Sequence, residues 1–144
     1  MKIFLSVSYS SKVDPTGKVM ADYRSELEDV ISVFEQDDHQ VFCAPREDGW
    51  KLNDASPAEA FNLDIKTIDD CGIFMAFVGG QVSAGIQLEI GYALAKGKRI
   101  VIVSHQKETL SYINKGLVDT NRASLITYDS QHGLVEKLKT HDLR

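Results

Sequence analysis

An unbroken apolar segment at residues 73–78 (IFMAFV) is the feature of this sequence that most limits its fold. No polar side chain interrupts it, as expected for a central strand that is buried on both faces of a parallel sheet. Gly79 and Gly80 follow the segment, and residues 84–96 then predict a helix that ends at Gly97. This order indicates an open α/β sheet, in which ligands bind beyond the carboxyl ends of the strands.

The rest of the chain repeats the alternation of apolar runs with helical periodicity. Further strands are predicted at residues 3–7, 40–44, 99–104 and 124–128. Further helices are predicted at residues 19–34, 57–70, 107–115 and 134–139, and a polar loop at residues 46–56. Ser56 and Pro57 have the signature of a helix start, and Gly116 follows the predicted 107–115 helix.

Right-handed crossovers between these strands give a parallel sheet with helices on both faces. We therefore predict a single-domain α/β fold over residues 1–144, a flavodoxin-like or Rossmann-like three-layer sandwich whose five-stranded parallel sheet has the order 2-1-3-4-5. In that order the switch point lies between the first and third strands. The loops after Val7 and Val78 then meet at one crevice.

The composition of the chain argues against some classes of binding partner. The 144 residues carry a formal net charge of -5 with a pI near 5.3, and there is no block of basic residues, which argues against nucleic-acid polymers as ligands. No segment has the apolar length of a membrane helix or the pattern of a signal peptide, so we predict a cytoplasmic protein with no membrane partner. Cys43 and Cys71 are predicted to be buried, inert thiols. The histidines are scattered, and we predict neither a metal nor a cofactor.

Glu89 is the main catalytic candidate. It lies between Leu88 and Ile90, in a helix whose small residues, Gly85 among them, allow a ligand to approach closely. Partial desolvation raises the pKa of such a carboxylate or strengthens it as a nucleophile. The structural alternative is that Glu89 caps backbone N–H groups near the helix start. For Asp64, in the preceding helix, pattern alone favours a surface acid.

Polar residues at two loops are candidates for substrate binding. Ser8, Tyr9 and Lys12 follow the first strand and suit a sugar or a phosphate, although the glycines of a nucleotide-binding loop are missing. Ser83 either caps the following helix or holds a phosphate together with the neighbouring N–H groups. Trp50 either stacks on a planar base or packs its own loop onto the domain.

The segment 64–71 (DIKTIDDC), the pattern Ser83-x-Gly85-x-x-x-Glu89-x-Gly91-x-Ala93 and the segment 97–100 (GKRI) resemble the nucleoside 2-deoxyribosyltransferase family. Within it, the chain is most similar to the 2'-deoxynucleoside 5'-phosphate N-hydrolases, over roughly residues 3–128. The resemblance implies that Glu89 attacks the anomeric carbon and forms a glycosyl ester. It also implies that Asp64 assists departure of the base, as the acid does in retaining glycosidases. Water then gives hydrolysis, and a second base gives transfer.

The resemblance also bears on phosphate binding. Transferases that act on free nucleosides usually carry Asp where this chain has Ser83, whereas the monophosphate hydrolases carry a serine that binds the 5'-phosphate. Ser111 matches a phosphate-binding serine that a neighbouring subunit donates in those hydrolases. This implies a homo-oligomer acting on a small nucleotide or nucleoside. The first loop departs from the family's Gly-Ser-x-Arg pattern, and Ser8 and Lys12 would substitute for its serine and arginine.

Three alternatives remain open. The protein is a transferase acting on free nucleosides, or a nucleotide-binding signalling module without turnover, or an NAD-cleaving enzyme. The last alternative follows from residues 3–12, which also resemble the opening of a TIR domain. Residues 91–93 and the following Gly-Lys pair favour the deoxyribosyltransferase family over the TIR domain.

Overall fold

The computed structural model describes residues 1–8, 10–52, 54–79 and 83–143. Its strands are β1 (Lys2–Ser6), β2 (Gln40–Cys43), β3 (Ile73–Val78), β4 (Arg99–His105) and β5 (Ser124–Tyr128). Its helices are α1 (Ala21–Glu35), α2 (Ala44–Glu47), α3 (Pro57–Asp70), α4 (Ala84–Ala95), α5 (Tyr112–Asp119) and α6 (Gln131–Thr140). A 3-10 turn at Ser10–Lys12 follows β1.

The five strands form one parallel sheet in the order β2-β1-β3-β4-β5. This confirms the predicted fold class and strand order. The chain leaves β1 in one direction across the sheet and β3 in the other, so the crevice expected at a switch point lies between their carboxyl ends. Ser6 pairs with Ala76 at that edge.

Two apolar layers flank the sheet because side chains alternate along each strand. Ile3 and Leu5 pack with buried residues of α1 and α6. Phe4 lies on the opposite face, with buried residues of α3 and α4, and α5 adds partly buried leucine and valine side chains there. The Phe4 ring stacks on those of Phe42 and Phe74, at centroid distances of 5.0 and 5.4 Å. By the same alternation, Ser6 faces the α3–α4 side.

Several predicted boundaries held. Ser56 accepts a hydrogen bond from the Glu59 backbone N–H and so caps α3 at the predicted start. Gly97 has φ +68°, a left-handed conformation that favours glycine, and it lies just beyond the end of α4 as predicted. Cys43 and Cys71 are both buried and unpaired with each other.

Three element predictions were wrong. The short helix α2 begins inside the strand predicted at 40–44 and extends into the loop predicted at 46–56. Pro45 lies in its first turn, where proline's fixed φ is compatible with a helix. The helix predicted at 107–115 instead spans Tyr112–Asp119, with the exposed Gly116 inside it, since a surface glycine costs a helix only about 1 kcal/mol. Helix α1 starts at Ala21 because Val19 is held in a bridge to Val13.

In the part of the chain that the structure describes, no helix combines the length and the apolar character needed to cross a bilayer.

Candidate active site

Glu89, on helix α4, is held at the switch point by a side chain from strand β1. The Ser6 Oγ, at the end of β1, donates a hydrogen bond of 2.8 Å to Glu89 Oε1. Ser6 is only 1% exposed, so its hydroxyl requires a partner inside the protein. Glu89 does not cap α4, because Ser83 accepts the hydrogen bond from the Ile86 backbone N–H. The capping alternative for Glu89 therefore lacks support.

The environment of Glu89 changes its acidity. Burial raises the pKa of Glu89 to about 7. The Ser6 hydrogen bond opposes this shift, because it stabilises the ionised form, and the negative charge of Asp64 adds to it. Among the described residues, Glu89 forms no ion pair. Its carboxylate is thus poised to gain or lose a proton near neutral pH.

Asp64 lies on α3 close enough to Glu89 for their charges to interact. It is partly buried rather than the surface acid that pattern alone favoured. Burial, together with the nearby charge of Asp48 just after α2, raises the pKa of Asp64 to about 6. Glu89, Asp64 and Asp48 therefore form a group of carboxylates on the α3–α4 side of the sheet, which we call the carboxylate group.

A cavity of about 840 Å³ opens across the carboxyl edge of the sheet. Four of the predicted binding residues line it: Ser8, Lys12, Ser83 and Ser111. Further hydroxyls and amides join them (Ser10, Ser11, Thr109, Gln87, Asn114 and Gln131), and the acids on its wall are Glu26 and Glu108. We call this the serine-lined cavity. Its many donors suit an anionic or hydroxylated ligand.

Ser83 and Ser111 each cap a helix that opens on this cavity. Ser83 caps α4, and Ser111 caps α5 by accepting from the Asn114 backbone N–H at 3.3 Å. The exposed N–H groups and the helix dipole make both helix starts favourable places for negative charge. The resemblance implies a serine from a neighbouring subunit, whereas Ser111 of the same chain lines this cavity.

Other predicted residues lie apart from the serine-lined cavity. Glu89 and Asp64 do not line it, and it reaches α4 only through Ser83, Ile86 and Gln87. Gly85 is exposed in the first turn of α4, where a Cβ would meet only Ser83 Oγ, at 3.9 Å. Because Gly85 has no side chain, it does not cover the first turn of α4.

Trp50 has the packing role that was the alternative to stacking on a base. Its ring packs against the buried α1-side layer, with the Arg24 guanidinium 5.1 Å from the ring centroid. Its carbonyl accepts a hydrogen bond from the Val19 backbone N–H. Tyr9, predicted to bind substrate, and Gly80, in the predicted turn, lie outside the described residues.

Sequence reasoning missed three residues that shape the site. Ser6 had a detectable signal, a hydroxyl at the carboxyl end of a buried strand at the switch point. Asp48 had none, because only the fold brings it near Asp64. Tyr23 lies on α1, where its hydroxyl donates to the Ser8 carbonyl at 2.5 Å and its ring centroid lies 5.7 Å from Lys12 Nζ. Tyr23 thus anchors the first loop.

The three carboxylates of the carboxylate group and the scattered histidines do not make a metal site. Across residues 1–8, 10–52, 54–79 and 83–143, no three His, Cys, Asp or Glu side chains are grouped closely enough to hold a metal ion.

Comparison with known proteins decides the family. The model of the nucleoside 2-deoxyribosyltransferase family matches residues 17–135, most of the chain. The chain belongs to the nucleoside 2-deoxyribosyltransferase family. The family and the similar CMP N-glycosidase support cleavage or transfer at an N-glycosidic bond as the reaction class.

Solved structures resemble this family member over almost its full length. A CMP N-glycosidase from Clostridium botulinum, BcmB, is 28% identical, with a TM-score of 0.75 over 96% of this chain and 97% of the other. BlsM is 22% identical, with a TM-score of 0.79 over 96% and 86% of the two chains. A conserved protein from Enterococcus faecalis V583 is 16% identical, with a TM-score of 0.61 over 96% of both. The last two show the shared fold alone. Among curated proteins, no sequence matches this chain.

Proposed function

We propose that this protein hydrolyses the N-glycosidic bond of a 2'-deoxynucleoside 5'-monophosphate through a covalent glycosyl–Glu89 intermediate. The observation that carries the proposal is the Glu89 carboxylate, held by Ser6 and adjacent to Asp64, where β1 and β3 end. The similar CMP N-glycosidase, named for cleavage of a nucleoside monophosphate, supports a nucleotide substrate.

In the first step, ionised Glu89 attacks C1' of the sugar. Ser6 occupies Oε1, which leaves Oε2 to form the new C–O bond. The C1'–N bond breaks, its electron pair leaves with the base, and protonated Asp64 supplies the proton that the base accepts. The raised pKa of Asp64, about 6, keeps a useful fraction of it protonated near neutral pH.

In the second step, water replaces the enzyme at C1'. Asp64, now ionised, accepts a proton from the water while its oxygen attacks C1', and the ester bond to Glu89 breaks. The products are free base and 2-deoxyribose 5-phosphate, with Glu89 again a carboxylate. In transfer, a second base would take the place of the water.

The phosphate is assigned to the serine-lined cavity, between Ser83 and Ser111. Both residues start a helix, and the positive end of each helix favours an anion. Lys12 adds a cation on the α1 side of the same cavity, where Glu26 also lies. An aspartate in place of Ser83 would repel the phosphate, which separates this assignment from a transferase acting on free nucleosides.

One assay separates the candidate functions. Purified protein is incubated with deoxynucleoside monophosphates, with the corresponding nucleosides and with NAD, and products are resolved by chromatography. We expect free base from the monophosphates. Base exchange without need of a phosphate would identify a transferase, nicotinamide release would identify the TIR-like alternative, and tight binding without product would identify a binding module.

The same assay tests the nucleophile. Glu89→Gln should abolish base release, because the amide cannot form the glycosyl ester. Glu59→Gln is the matched control, since Glu59 is an exposed glutamate in the first turn of α3. Retention of activity in Glu89→Gln would overturn the mechanism.

A homo-oligomer and a cytoplasmic location remain predictions. Contact with a second copy would bury some of the exposed apolar side chains on α3, α4 and α5: Phe61, Leu63, Leu88, Tyr112 and Ile113. Light scattering of the purified protein measures the stoichiometry directly.

A further inference from the structure

The first turns of α4 and α5 are joined by a hydrogen bond between two amide side chains. Gln87 Nε2 donates to Asn114 Oδ1 at 3.0 Å, across 27 residues of sequence. Asn114 is 3% exposed, and Gln87 is partly buried. Both side chains line the serine-lined cavity. Buried polar side chains are normally hydrogen-bonded inside the protein, and Gln87 supplies this partner for Asn114.

This bond lies beside both of the serines assigned to the phosphate. Gln87 follows Ser83 by one helical turn, and its backbone N–H donates to the Ser83 carbonyl. The Asn114 backbone N–H donates to the Ser111 side chain. The amide bond therefore links the turn that Ser83 caps to the turn that Ser111 caps, and it fixes the distance between the two helix starts.

We propose that Gln87 and Asn114 are positioning residues that hold the Ser83 and Ser111 helix starts at the spacing needed to bind the 5'-phosphate, and so make the site select phosphorylated substrates. The proposal rests on the proposed function, since it concerns the phosphate of that substrate. Gln87 and Asn114 take no part in the chemistry at C1'. Their effect should appear in substrate selectivity and phosphate affinity.

The test replaces Gln87 in two ways. Gln87→Met keeps the length of the side chain but removes its N–H donor, and Gln87→Asn keeps an amide that is too short to reach Asn114. We expect the KM for a deoxynucleoside monophosphate to rise about tenfold in each variant, the effect of losing one hydrogen bond, while the KM for the nucleoside and kcat stay nearly constant. Gln40→Met is the matched control, at the amino end of β2 and exposed.

A second readout does not depend on turnover. The Kd of inorganic phosphate, measured by ³¹P NMR or calorimetry, should rise about tenfold in both Gln87 variants and stay constant in Gln40→Met. If the variants lose thermal stability while phosphate affinity and the KM ratio are unchanged, the bond only supports the fold and the proposal is overturned.

The two proposals fail separately. If the wild-type protein releases no base but binds phosphate in a Gln87-dependent way, the proposed function is wrong and the positioning role stands. If the wild-type protein releases base but binds no phosphate, the positioning role is wrong and the glycosidic chemistry stands.

Discussion

The carboxylate group and the serine-lined cavity lie at the same edge of the sheet but offer different chemical groups to a ligand. The carboxylate group gathers partly buried acids, and burial raises the pKa of Glu89 and of Asp64. The serine-lined cavity instead offers hydroxyls, helix starts and Lys12. The first region favours proton transfer and nucleophilic attack, and the second favours an anion.

Separation of the two regions would avoid electrostatic repulsion between a bound phosphate and the carboxylates. A phosphate placed against Glu89 and Asp64 would raise both pKa values further and would be repelled by the ionised nucleophile. In the proposed function, a phosphate held at the Ser83 and Ser111 helix starts stays away from the reacting carbon. If this division is correct, substitutions in the carboxylate group should change kcat and its pH dependence, whereas substitutions in the cavity should change KM and substrate selectivity.

Among the substitutions that compare the two regions, Asp64→Asn should have the largest effect on activity. Loss of the acid and base should lower kcat by about 10²- to 10⁴-fold, while the KM for monophosphate changes little. Asp70→Asn is the matched control, an exposed aspartate at the end of the same helix. A loss that appears in KM instead of kcat would place Asp64 in binding and remove it from the chemistry.

The pH profile sharpens the same test. The productive form needs Glu89 ionised and Asp64 protonated, so kcat/KM should be bell-shaped, with limbs near the pKa values of about 6 and about 7. These limbs belong to the coupled pair, because the two carboxylates interact. In Asp64→Asn the falling limb should disappear, and a single rising limb set by the ionisation of Glu89 should remain. An unchanged profile would contradict the coupling.

Ser83→Asp tests the cavity. The added carboxylate should raise the KM for a monophosphate by about 10- to 100-fold through repulsion, with a much smaller effect on the nucleoside. Aspartate also caps helices well, so α4 should still form. Ser56→Asp makes the same exchange at the cap of α3. Equal losses on both substrates would remove the phosphate from this end of the cavity.

The parts of this site that depend on local pattern were predictable. The apolar β3 segment, the glycines after it and the Glu89 helix lie within 25 residues of sequence, and together they located the switch point. The link from Glu89 to Ser6 spans 83 residues, so only the folded sheet reveals it. The same holds for Asp48 beside Asp64, and Gly116 misplaced α5 because glycine was taken as a helix end when it lies on an exposed helix face.

Ser6→Ala should have a moderate effect. Removing the hydroxyl takes away the hydrogen bond that stabilises ionised Glu89, so the pKa of Glu89 should rise and the limb of the pH profile that Glu89 sets should move to higher pH. We expect kcat to fall about tenfold, because Glu89 also loses its orientation. Ser104→Ala is the control, a buried serine at the equivalent end of β4. A shift of the limb to lower pH would show that Ser6 acts in another way.

The smallest expected effect is on stability, and it has a defined sign. The pKa of Glu89 is about 7 in the folded state against an ordinary 4.5, so between these values the folded state binds more protons than the unfolded state. Stability contributed by protonated Glu89 is therefore fully present below about pH 4.5 and is lost as pH rises through about 7. Glu89→Gln should raise Tm above pH 7 by a few degrees and change it little at low pH.

The exposed Glu136 is the comparison residue for this measurement of Tm. Contact with Lys139 lowers the pKa of Glu136, so Glu136→Gln should slightly destabilise the protein at high pH, the opposite sign. Melting curves of both variants at two pH values test the comparison. If Glu89→Gln gives no gain in Tm above pH 7, Glu89 is not desolvated in the folded protein. Its environment would then be as solvent-exposed as the surface of the serine-lined cavity. The two regions would no longer differ in the solvation of their polar groups.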